Sequence, residues 1–95
     1  MTVEECKVAV RCNSYVVSHK TGIKGQIFSV AYVNRVDAGG RHIEVGYHDA
    51  AANADYITTP DDLTITDYNV SEDTFAHHLA AEEARDEVWR KNILK

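Results

Sequence analysis

No apolar run in this 95-residue chain approaches the roughly 20 residues that a bilayer-spanning helix needs. The opening Met1-Thr2-Val3-Glu4-Glu5 is acidic where a secretory signal is basic and then apolar, so the expectation is a cytoplasmic protein with no membrane partner. Gly-x-Ser-x-Gly, a glycine-rich phosphate loop and Cys-x-x-Cys are all missing. Without them the common routes to acyl transfer, nucleotide chemistry and thiol redox have no local signature, and no enzyme is expected. Cysteine is scarce: on one strand Cys6 and Cys12 would stand about 20 Å apart, beyond disulfide reach, and both read as reduced, buried, small apolar residues.

What is present is ordinary for a globular protein. Hydrophobic residues make up 44% and charged residues 26%, enough for one domain of this length with one modest core. The net charge of -5 is unevenly placed. Residues 1–60 carry six bases and six acids, whereas residues 61–95 carry nine acids against four bases. Any contact with nucleic acid would therefore fall to the first part of the chain.

Taken in order, Cys6, Val8, Val10 and Cys12 alternate with Lys7, Ala9 and Arg11, the period of a half-buried strand. Thr2 followed by Glu5 fits a helix capping box, so residues 1–12 read as an N-terminal strand or a short helix, with the alternation favouring the strand. Asn13-Ser14 is a turn signal, Tyr15 to Ser18 a β-branched strand, and His19-Lys20-Thr21-Gly22 a second turn. Ile27 and Val30 can face one core only if an extra residue intervenes, which predicts a bulge near Phe28-Ser29 and turns Phe28 away from the core. Asp37-Ala38-Gly39-Gly40 reads as a hairpin loop. Beyond it Ile43, Val45 and Tyr47 take one face of a strand, and His42, Glu44 and His48 the other. After a loop over 50–54, Tyr56 to Thr59 forms a short strand, Pro60-Asp61-Asp62 a turn with solvated carboxylates, and Leu63 to Thr66 the last strand. Ser71 caps a helix over about 72–91, whose apolar stripe is Phe75, Ala76, Leu79, Ala80, Ala84 and Val88. That stripe either covers the sheet of its own chain or pairs with a partner, which leaves a monomer or a homodimer through the C-terminal helix.

Gly22, Gly25, Ile27 and Val30, then Ile43 to Asp49, then Tyr56 and Pro60-Asp61-Asp62-Leu63, resemble the SH3-like small barrels, especially the KOW and Tudor types. The likeness covers about half the chain and departs from the pattern at its start, where Asn13-Ser14 stands in place of Gly-Asp. It implies an SH3-like five-stranded antiparallel small barrel over 13–66, which with the C-terminal amphipathic α-helix read from the stripe makes an α+β, mainly β chain. It also implies loops that bind peptides, nucleic acid or another protein. In a Tudor-like arrangement Phe28, Tyr32, Tyr47 and Tyr56, with Asp49, would line a groove or partial cage for a cation or peptide; the alternative is that Tyr32 and Tyr47 are core residues. Trp89 lies beside the helix stripe and is either packed or a contact surface.

These readings lead to a small, acidic, non-enzymatic protein-binding module that modulates or inhibits a larger partner. Its size suits a phage- or plasmid-encoded accessory factor. The alternative is a KOW-like nucleic-acid binder using Lys20, Lys24, Arg35 and Arg41, disfavoured by the overall charge. No cofactor is expected. His42 and Glu44 can share a metal only with a third ligand from elsewhere, and His77 and His78 diverge by about 100° on a helix, so no metal is expected either.

Overall fold

The computed structural model describes residues 1–35 and 40–93, without the side chains of 34, 35, 40, 41, 89, 90, 92 and 93. The 37–40 loop expected from the sequence therefore lies outside the described residues up to Gly40.

Thr2 opens the chain with the capping box anticipated above: its hydroxyl accepts from the Glu5 N–H, and the Glu5 carboxylate accepts from the Thr2 N–H. The helical alternative for the N-terminus holds and the strand does not, for α1 spans Val3–Arg11. Its alternating pattern misleads because α1 is covered on several sides, with Cys6, Val8 and Ala9 all fully buried. Both cysteines are free and buried, although they sit on a helix and its cap.

Five strands follow, β1 (Tyr15–Ser18), β2 (Lys24–Arg35), β3 (Gly40–Asp49), β4 (Ala54–Thr58) and β5 (Leu63–Asp67), with one 3₁₀ turn at Pro60–Asp62. All pair antiparallel in one sheet of order β4-β3-β2-β1-β5. The chain meanders through four strands, and the fifth returns to the free side of the first. With the C-terminal helix α2 (Glu72–Ile93) this is the mainly β, small-barrel α+β architecture expected.

The register of β2 on β3 shifts between Ile27 and Ser29, so the bulge falls at Phe28. Before it Ile27 opposes Tyr47, and after it Val30 opposes Val45, all turned to the core. Gly25 faces the same way, and a β-carbon there would stand 2.4 Å from the His48 carbonyl oxygen; only glycine lets the strands approach so closely.

The inner face of the sheet is filled by α1. Cys6, Val8, Ala9 and Cys12 join Val16, Ile27, Val45, Tyr47, Leu63 and Phe75 in one cluster. The helix that covers the barrel is thus the first, not the last. Helix α2 lies against α1, and its buried positions are Phe75 and Glu82, with Leu79 and Asp86 half-buried. Of the expected stripe, Ala76, Ala80, Ala84 and Val88 are exposed instead. Phe75 is the apolar anchor, its ring 4.7 Å from that of Tyr68. Glu82 takes the next inward position because Arg11 and Lys7 of α1 wait there: Arg11 Nη2 lies 2.9 Å from Oε2 and Lys7 Nζ 3.7 Å from Oε1.

Candidate interaction surface

The outer face of the sheet collects the side chains that alternation turns away from α1. The row Tyr15, Gln26, His48, Asp55 runs across four neighbouring strands. His48 Nδ1 lies 2.6 Å from Asp55 Oδ1, which holds the ring against β4. In the next row Ser29, Gly46 and Ile57 oppose one another, and the bulge lifts Phe28 over this row.

Gly46 is the floor on which Phe28 rests. A β-carbon at Gly46 would meet the Phe28 ring at 2.8 Å and Ser29 Oγ at 2.5 Å. Phe28 remains 48% exposed and Ile57, directly across from Gly46, 69% exposed. Tyr15 is also exposed on this face. Two large apolar side chains thus flank a glycine on a rigid sheet, and a third stands nearby, a group that folding leaves in water at a cost.

The other aromatic residues considered for a cage do not join Phe28. Tyr47 is 2% exposed and stacks on Tyr56, ring centroids 5.5 Å apart, on the core side of the sheet. Asp49 accepts from the Ala51 N–H and closes the turn into β4. Tyr32 also points to the inner side, but where β2 has run past the core; it is 60% exposed and Lys7 Nζ sits 5.6 Å from its ring centre. Burial works against the Lys7 charge, yet Tyr32, Asp86 and Glu82 outweigh it and hold the amine above its ordinary pKa. Trp89 lies on α2, and its side chain falls outside the described residues, as do those of Arg35 and Arg41.

The basic residues are dispersed. Lys20 lies in the β1–β2 turn and Lys24 opens β2, whereas Arg35 closes β2 opposite Gly40, about 35 Å farther along the strand. His42 Nε2 and Glu44 Oε1 contact each other at 3.1 Å, and among the described residues no three groups converge as metal ligands.

The turn at Pro60–Asp62 departs from expectation at one residue. Asp61 is exposed as expected, but Asp62 is buried and accepts from Ser18 Oγ at 2.6 Å, Thr58 Oγ1 at 2.7 Å and the Lys20 N–H at 3.0 Å. Those donors, Ser18 first, pull its pKa down to about 2. Its role is to tie the β1–β2 turn to the 3₁₀ turn.

Sequence reasoning found Phe28 through the parity of Ile27 and Val30. It missed Ile57 and Gly46, whose only signal was their opposite registration, which a single strand does not contain. No protein-family model matches the chain, and no curated protein or solved structure matches it either.

Proposed function

We propose that the chain is a small protein-binding module, without catalytic activity of its own, that modulates or inhibits a larger partner through the outer face of its sheet. The observation that carries this reading is the Phe28 ring held over Gly46 beside the exposed Ile57. Such a feature suits a hot spot: an aromatic anchor fixed by its own backbone loses little side-chain freedom on binding. The polar row of Gln26, His48 and Asp55 beside it supplies a hydrogen-bonding rim. Strand order and the 3₁₀ turn are in keeping with the likeness to SH3-like small barrels of the KOW and Tudor types, which implies loops that bind peptides, nucleic acid or another protein. Dispersal of Lys20 and Lys24 from Arg35 and Arg41 weighs against a nucleic-acid track.

The test is capture from lysate by the tagged chain, with nuclease added, compared with Phe28→Ala and Ile57→Ala. A partner retained by the wild type and lost roughly tenfold or more by Phe28→Ala, with an unchanged circular-dichroism melt, supports the reading. Equal recovery by all three proteins removes this surface from consideration, and recovery that collapses with nuclease turns attention to nucleic acid.

A further inference from the structure

We propose that α2 pairs antiparallel with α2 of a second copy of this chain, along the face formed by Asp73, His77, Ala80, Ala84, Val88 and Lys91. These residues recur at steps of four, three, four, four and three, the spacing of a continuous seam between two helices. All six are exposed, Val88 at 58%; Lys91 Nζ lies 3.2 Å from Glu87 Oε1 of its own helix, an exposed pair that it shares or exchanges for Asp73 of the other copy. They lie opposite the side that meets the body of the protein, where Phe75, Leu79, Glu82 and Asp86 turn inward.

What selects a second copy, and its direction, is charge placement along the seam. A two-fold axis level with residue 82 sets Asp73 against Lys91 of the other copy, His77 against Val88, and Ala80 against Ala84, with each contact made twice. The acid and the base stand at equal distances from the axis, and the small residues occupy the centre, where helix axes come closest. A parallel pair would instead oppose Asp73 to Asp73 and Lys91 to Lys91, so the sequence favours the antiparallel arrangement. Antiparallel helix dipoles reinforce that preference. Helix α2 meets the body of the protein through α1, on the side opposite the seam. This pairing stands independently of the outer-face reading and leaves Phe28 and Ile57 free.

The seam offers one valine and two alanines, so the dimer is a concentration-dependent one. Sedimentation of the full chain across a dilution series is expected to show monomer and dimer in exchange. Lys91→Asp should weaken the dimer roughly tenfold, and the charge exchange Asp73→Lys with Lys91→Asp should restore it, each protein keeping the wild-type helical signal. For the register, equal amounts of chains carrying Ala80→Cys and Ala84→Cys are mixed under oxidising conditions; the mixed disulfide should exceed either self-linked product by well over the twofold that random pairing gives. A chain that stays monomeric at every concentration overturns the proposal. So does a mixed product no more than twice either self-linked one, or a charge exchange that fails to restore association.

Discussion

Asp62 shows how one carboxylate organises two turns. Its oxygens satisfy two hydroxyls and one backbone N–H, adding side-chain ties to segments that backbone pairing of Ser18 with Leu63 and of His19 N–H with the Asp62 carbonyl already brings together. Asp62→Asn keeps the shape but exchanges an acceptor for a donor, and it is expected to destabilise the fold by about 1–3 kcal/mol in urea titration. The folded pKa of about 2 lies below the ordinary 3.8. The stabilisation is therefore complete above the unfolded value and is lost as pH falls from about 4 to about 2. Acid unfolding of the wild type should show a component in that window that Asp62→Asn lacks. Cys6 illustrates the opposite effect of burial, which pushes its thiol up to about 11. With so little thiolate and no exposure, Cys6 should resist a thiol reagent at pH 8 in the native protein and react on unfolding. Rapid native labelling of Cys6 would contradict this placement.

Among the elements, the two helices divide the work unequally. Helix α1 is capped, buried and part of the core, so its formation and the folding of the sheet are one event. Helix α2 is anchored apolarly at Phe75 and then held by ion pairs, because Glu82 rather than an apolar residue occupies the inward position. Glu82 Oε2 faces Arg11 Nη2 as a charge contact without a well-aligned hydrogen bond. Arg11 can recover water if the pair breaks, so the loss is smaller than for a sealed pair. Glu82→Lys adds a cation beside Lys7, Arg11 and Arg85 and should release the second half of α2. Hydrogen exchange should then quicken from about residue 80 onward while the strands stay protected; unchanged protection there would mean the ion pairs do not hold the helix. The element boundaries were largely legible in the sequence. The Phe28 bulge followed from the parity of Ile27 and Val30, and the start of α2 from Ser71, whose hydroxyl accepts from the Thr74 N–H. Helix α1 was legible through Thr2 and Glu5 but obscured by alternation, since a helix packed on several sides need not display a 3.6-residue period.

At the scale of the molecule, the protein is flatter and longer than its length requires. It measures 47 × 40 × 18 Å, and its radius of gyration of 14.2 Å exceeds the roughly 12 Å usual for about this many residues. The 12-residue β2 and the 22-residue α2 are long against a core this small. Solution scattering from dilute samples should give a radius above that of a compact 95-residue domain, and a value near 12 Å would mean that one of these elements folds back. An extended outline with a small core also leaves much side-chain surface exposed, as the proposed binding role requires.

The sequence by itself determined what depends on neighbours along the chain: strand and turn positions, the bulge, the caps, and that Phe28 turns away from the core. Tertiary structure decided which helix covers the sheet, which side of α2 turns inward, that Asp62 is buried beside Ser18, and that Ile57 stands across from Gly46. The reason is physical. Alanine carries little preference between core and water, so the alanines of α2 do not choose a face. That choice falls to Phe75 and Leu79 in the first half of the helix and, beyond them, to Lys7 and Arg11, roughly 75 residues earlier in the chain, which meet Glu82 only once the sheet has brought the two helices together.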